Sequence, residues 1–155
     1  MRIACAFDHA GFPLKPVVLE TLAAAGHEPI DLGTWSTDPV DYPDTAREAA
    51  DAVLDGRAER AVVVCGSGAG VAVAACKVPG IRAATAHDTY TAHQAVEHDD
   101  VNVLCLGARV IGPALAAGVA PDRGAEYYVL LGVGLIATVV ATTMVTRAAK
   151  KAMAA

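Results

Sequence analysis

The chain reads as an α/β protein with a doubly wound parallel sheet of five strands, followed by a C-terminal apolar helix. Three observations predict this. Short apolar runs alternate with longer segments of helical period. The runs are continuous rather than alternating, as in strands buried on both faces of a parallel sheet. Two of the helical segments stop at a glycine, the usual C-terminal signal. A length of 155 residues suits one such domain, here residues 1–120, with 121–155 as a tail.

The first strand is expected over Arg2–Phe7, followed by a helix whose stripe Leu14, Val17, Val18, Leu22 and Ala25 ends at Gly26. A second strand is expected over Pro29–Leu32. Asp44 then opens a helix carrying Ala46, Ala49, Ala50 and Val53 and closing at Gly56. Ala61–Cys65 is the third strand, with a helix directly behind the glycines at 66, 68 and 70. Arg82–Ala86, a helix from Thr89 to Glu97, and Val101–Leu106 complete the pattern. Strand, helix, strand repeats imply right-handed crossovers, and such sheets place ligands at the carboxyl ends of their strands.

The tail departs from this pattern. Residues 127–146 carry no charge, and a helix of that length would span about 30 Å, the thickness of a bilayer core. A membrane span is the favoured reading. The competing one is a helix buried in a subunit interface, where an apolar surface all round is also tolerated. Arg147, Lys150 and Lys151 follow the run, so a span would leave the N-terminal domain outside the cytoplasm. The rest of the sequence points to the cytoplasm, either free or tethered by the tail.

Composition narrows the function. Hydrophobic residues are 54% and charged residues 19%, which excludes a disordered chain. Twelve Lys and Arg against seventeen Asp and Glu give a net charge of -5, and the cations form no run able to neutralise successive phosphates. Nucleic acid is not an expected partner; one small phosphorylated molecule is compatible. Cys5, Cys65, Cys76 and Cys105 form no Cys-x-x-Cys pair and have no metal-like spacing with histidines, which argues for a reducing compartment. The apolar start runs straight into charged residues, unlike an export signal.

The strongest chemical signal is AVVVCGSGAGVAVAACK at 61–77. Glycines let successive N–H groups converge, and the helix N-terminus adds partial positive charge, so the loop forms an anion hole. Its glycine spacing is neither a P-loop nor a dinucleotide fingerprint. A helix N-terminus favours thiolate over thiol, which makes Cys65 a base or nucleophile; the alternative is a cysteine that only fills the sheet edge. The glycine loop favours the first. Asp8 and His9 follow the first strand on the same edge, so Asp8, His9, Cys65 and Ser67 are expected to converge, with Asp8 equally readable as a helix cap. Asp41-Tyr42-Pro43-Asp44 is a turn into a helix with Asp44 as its cap, which leaves Tyr42 unexplained. His98 complements a helix C-terminus or acts at a site. His27, His87 and His93 read as surface or packing residues, Cys5 and Cys105 as core, and Cys76 as structural.

Taken together, DHAGFPLK at 8–15, DLGTWSTDPVDYPD at 31–44, CGSGAGVAVAACKVPGIRAA at 65–84 and EHDDVNVLCLGARVIG at 97–112 resemble the ribose-5-phosphate isomerase B family, which includes the galactose-6-phosphate isomerase subunits. The resemblance covers residues 1 to about 120 and implies a flavodoxin-like fold, a homodimer with shared active sites, and no cofactor or metal. It implies interconversion of ribose 5-phosphate and ribulose 5-phosphate through an enediolate. Cys65 would be the base, Ser67 the proton shuttle, and Asp8 with the partner subunit's His98 would open the sugar ring. His9 and Arg109 would face the phosphate, Tyr42 would line the sugar pocket, and Gly66, Gly68, Ala69, Gly70, Asp99 and Asn102 would complete substrate binding. Alternatives are an isomerase of another sugar or sugar phosphate, such as allose or galactose 6-phosphate, and a non-catalytic sugar-phosphate-binding module. The chain departs from the family pattern at Asp99 and Cys76, where Asn is usual. It also lacks the C-terminal arginines that reach across the dimer to the phosphate: Arg123 is the only cation between about Val119 and the uncharged run. Each missing contact is worth about 1.5–3 kcal/mol.

Overall fold

Five strands form one parallel sheet: β1 (Arg2–Phe7), β2 (Glu28–Asp31), β3 (Arg60–Cys65), β4 (Ala83–Thr85) and β5 (Val103–Gly107). The structure, a computed structural model, describes residues 1–113 and 116. The uncharged run 127–146 and Arg123 lie outside the described residues. Among the described residues no helix is long and apolar enough to cross a membrane.

The helices form where expected. A single 3-10 turn, Phe12–Leu14, leads into α1 (Lys15–Ala24), with Pro16 in its first turn, where a missing N–H is harmless. Gly26 follows α1 at φ +78°. The second helix, α2 (Tyr42–Leu54), begins earlier than its acidic residue suggested: Asp41 holds the N-cap position, and Asp44 lies inside the first turn, where its charge favours the helix dipole. Tyr42 is therefore helical, with its position set by the helix start. Next come α3 (Ala69–Cys76) and α4 (Thr89–Glu97), the latter capped by Asp88 Oδ1, which accepts the Thr91 N–H at 2.7 Å. Strand limits shift by one or two residues. Leu32 leaves the strand proper, yet its N–H still donates to Cys5 O at 2.9 Å.

The sheet order is β2-β1-β3-β5-β4. Helices cover both faces of the central strands, so β1 after Arg2, β3 after Arg60 and all of β5 are continuous buried apolar runs, whereas the edge strand β2, Glu28–Asp31, is only partly buried. One face packs Ile3, Cys5, Phe7, Val62, Val64, Leu104 and Leu106 against Leu14, Val18 and Leu22 of the first helical stretch. The other packs Ala4, Ala6, Val63, Cys65, Val103 and Cys105 against Ala46, Ala49 and Ala50 of α2 and Val71 and Ala75 of α3. The alanines bring these two helices close to the strands.

The chain visits the β4 edge before returning to insert β5 next to β3. A simple outward progression would leave β5 at the edge and the loop behind it one strand farther from Cys65. The exchange matters for the site, because the Ala108 N–H donates to Cys65 O at 2.8 Å and the Arg109 N–H to Gly66 O at 3.0 Å.

Leu22 is fully buried on the α1 face. Leu22→Ala is expected to lower unfolding stability by about 2–5 kcal/mol through lost burial and a residual cavity, measured as a fall in the urea midpoint at unchanged slope.

Candidate active site

The β1 and β3 strands are parallel neighbours with Phe7 opposite Val64, so the loops at their carboxyl ends start side by side. The Asp8 N–H extends the ladder by donating to Val64 O at 3.0 Å. The Asp8 carboxylate, 5% exposed, accepts the Gly11 N–H at 2.7 Å through Oδ1. Asp8 is therefore not a helix cap, since Gly11 and Leu14 hold the N-cap positions of Phe12–Leu14 and α1; its Oδ1 instead closes a turn that holds it at the sheet edge. Gly11 runs directly against β3: a Cβ there would lie 2.1 Å from Val64 O. Only glycine lets the Asp8 turn lie this close to Cys65.

Cys65 is the last residue of β3 and is 4% exposed. Its Sγ accepts the Gly68 N–H at 3.0 Å. Gly68 is the N-cap of α3 at φ +80° and ψ −26°, so the sulfur sits at the positive end of that helix. Ser67 is exposed next to it, and its Oγ accepts the Ala69 N–H at 3.3 Å. The loop steps over the end of β5 to reach β4, where Thr85 Oγ1 donates to Gly68 O at 3.0 Å. That crossing needs Gly107, since a Cβ there would stand 2.6 Å from the Ser67 carbonyl carbon.

The remaining residues gather around this loop. Gly66 lies between the Ala10 turn and Arg109: a Cβ on it would meet Ala10 Cβ at 3.5 Å and Arg109 Cδ at 3.6 Å. The Tyr42 ring covers Gly70, whose Cβ would lie 3.0 Å from the ring edge. His9 Nδ1 accepts the Val40 N–H at 3.3 Å, which in the neutral ring places the proton on Nε2. The structure thus brings together Asp8, His9, Tyr42, Cys65, Ser67 and Arg109 around the Gly66–Gly70 backbone.

His98, Asp99 and Asn102 do not join them in one chain. They precede β5, at the opposite end of a strand about 17 Å long. His98 is the C-cap residue of α4, matching its helix-terminus reading, and both His98 and Asp99 are exposed. Asn102 has a different task from the substrate contact that the resemblance implied. Its Oδ1 accepts the Arg82 N–H at 2.9 Å and its Nδ2 donates to Gly80 O at 3.0 Å, bracing the entry to β4. Both polar atoms of the amide are committed there.

Sequence reasoning missed His87. Its Nε2 accepts the Gly107 N–H at 3.0 Å, so a ring read as surface or packing instead supports the crossing between β3 and β5. The available signal was position, because Ala86-His87-Asp88 leaves the carboxyl end of β4 on the same sheet edge. The other thiols behave as expected. Burial pushes Cys5 up to about 12 and Cys105 farther still, so both stay protonated core residues at neutral pH. Exposed Cys76 donates to Ala83 O at 3.2 Å. Among the described residues no group of three His, Cys, Asp or Glu is placed to hold a metal ion.

This arrangement sets a thiol at the start of a helix beside the main-chain amides of the 66–70 loop, with a carboxylate, an imidazole and a guanidinium on neighbouring loops of the same sheet edge. It suits removal of a proton from carbon next to a carbonyl, because the amides can hold the oxyanion that develops.

Comparison with known proteins agrees. Residues 3–121 match the family model described as ribose/galactose isomerase. The chain is 41% identical to ribose-5-phosphate isomerase B of Escherichia coli (strain K12), across 81% of this chain and 85% of that one. It is 42% identical to D-erythrulose-4-phosphate isomerase 2 of Mycolicibacterium smegmatis, across 75% of this chain and 78% of the relative. The fold superposes on ribose-5-phosphate isomerase B of Clostridium thermocellum with a TM-score of 0.75 at 42% identity, covering 80% of this chain and 88% of the other. With its thiol, glycine loop and Asp8 turn assembled on one sheet edge, the chain belongs to the ribose/galactose isomerase family.

Proposed function

We propose that this protein is an aldose–ketose isomerase that interconverts ribose 5-phosphate and ribulose 5-phosphate through an enediolate. The observation that carries this is the Cys65 sulfur facing the Gly68 amide at the start of α3, beside the turn of Asp8 and His9. Cys65 as thiolate takes the proton from C2 and returns one to C1. The amides of 66–70 share the enediolate charge, and exposed Ser67 passes a proton between the two sugar oxygens. Asp8 retains one carboxylate oxygen outside its turn bond and acts in ring opening.

The partner subunit's His98 is the second ring-opening group in this reading. What supports it is the placement of His98, exposed and at the far end of β5 from its own Cys65. A homodimer with shared sites follows. Asp99 would enter the same site in trans, where an ionised carboxylate repels the enediolate unless it is paired or protonated. His9 and Arg109 face the phosphate, and Tyr42 lines the sugar. No step above uses residues 127–146. The four cysteines are free, which fits a reducing compartment.

A second reading is isomerisation of a different sugar phosphate, supported by the D-erythrulose-4-phosphate isomerase relative at 42% identity. Comparing kcat/KM for ribose 5-phosphate, erythrulose 4-phosphate and allose 6-phosphate ranks the two readings.

Replacing the base tests the main proposal. Cys65→Ser is expected to reduce kcat for ketose formation from ribose 5-phosphate by about 10²–10⁴-fold. Cys65→Ala is expected to bind the sugar phosphate with a Kd within about threefold of wild type, since the sulfur contributes chemistry rather than affinity. A wild type without isomerase activity towards any of the three sugars would leave only a binding module. Arg109→Met is expected to raise KM about tenfold through loss of one charge-assisted phosphate contact, read from initial rates.

A further inference from the structure

Lys15 is a buried cation that no step of the proposed reaction uses. Its side chain is 9% exposed, and its Nζ lies 2.8 Å from Asp31 Oδ2 at the end of β2. The same ammonium donates to Thr34 O at 2.8 Å and sits 3.7 Å from the centre of the Trp35 ring. Asp31 also accepts the Gly33 N–H through Oδ1 at 3.0 Å. One ammonium from α1 therefore ties down the start of the loop that runs from β2 to α2.

That loop has little else beneath it. Trp35 is 71% exposed, and the loop borders a hollow lined by Phe7, Leu32, Val40, Asp41, Thr45 and Glu48. Its position is set by polar ties rather than by packing. Besides the Lys15 ties, these are the ladder bonds between Phe7 and residues 33–34 and a local bond of 2.8 Å from Ser36 Oγ to Asp38. At its far end the loop presents the Val40 N–H to His9 Nδ1 and then Tyr42 to the glycine loop.

We infer that Lys15 is a positioning residue for substrate phosphate: by anchoring Thr34 and Trp35 it holds Val40 where its amide orients His9, with Nε2–H turned outward as a donor. The inference rests on the proposed role of His9 towards the phosphate. Lys15 acts through the loop and does not touch substrate. The Trp35 ring shields the ammonium from water, which strengthens both of its polar ties.

The test uses the full chain, with inorganic phosphate as the binding probe and ribose 5-phosphate and free D-ribose as substrates. Lys15→Met keeps the aliphatic stem and removes the charge. The expected result is about tenfold weaker phosphate binding by calorimetry, and a KM for ribose 5-phosphate raised by about the same factor. The kcat is expected to stay within about threefold, and kcat/KM for D-ribose is expected to be unchanged, because only the phosphate end is misplaced. Trp35→Leu removes an exposed ring and leaves the core intact. It is expected to move the phosphate Kd and KM in the same direction by about threefold. Trp35 is the one tryptophan of the chain, so its emission also reports phosphate-induced loop ordering in wild type, a response that Lys15→Met should lose.

Folded variants with wild-type phosphate affinity and KM would overturn the inference. So would an equal loss of kcat on both sugars, which is the mark of a merely structural residue. If Lys15→Met does not fold, Trp35→Leu decides alone by the same measurements. A wild type that binds no phosphate would overturn the His9 reading and this inference together, an outcome recognised because the unsubstituted protein itself is inert.

Discussion

After Cys65 the main chain must turn, cross the end of β5 and start α3 within four residues, and the Gly68 N–H pointing at the Cys65 sulfur is the contact that holds this crossing together. Around it each neighbour is fixed by backbone. Gly11 presses the Asp8 turn against Val64, Gly107 makes room for the Ser67 carbonyl, and the amides of Ala108 and Arg109 bond to Cys65 and Gly66. Because these ties are made at the edge of a sheet packed on both faces, the loop that carries Ser67 and Gly68 is held in place before substrate arrives. Preorganisation of this kind lets amides stabilise developing charge without reorganising during the reaction.

Three cysteines at strand positions show how local environment sorts one residue type into different roles. Cys5 and Cys105 point into the two packed faces, and burial holds them as thiols. Cys65 is nearly as buried, yet it lies at a strand end where the chain leaves the sheet and a helix begins. Unlike the other two, its sulfur accepts a main-chain amide at 3.0 Å, at the N-terminus of a helix.

The distribution of the remaining polar groups separates chemistry from support. Arg82 donates to Asp100 O at 2.7 Å and to its carboxylate at 2.6 Å, holding a residue with φ +50° in the turn that follows Asp99. Asn102 braces the neighbouring strand entry, and Lys15 does the same for the loop before α2. Such residues lie away from the sulfur and determine where the exposed His98 and Asp99, or the ring of His9, are presented.

The five strands, the four helices and the meeting of Asp8 with Cys65 were legible in the sequence, for a physical reason. A strand covered on both faces must be apolar throughout, a helix end needs a residue tolerant of positive φ, and loops behind neighbouring parallel strands share an edge. These are local rules, or rules of one sheet. The insertion of β5 between β3 and β4, the support His87 gives to Gly107, the in-chain commitment of Asn102 and the burial of Lys15 under Trp35 were decided only in three dimensions. Each depends on which strand lies beside which and on which side chain reaches across a gap. Strand order is set by the packing of both faces at once, and no single stretch of residues encodes that.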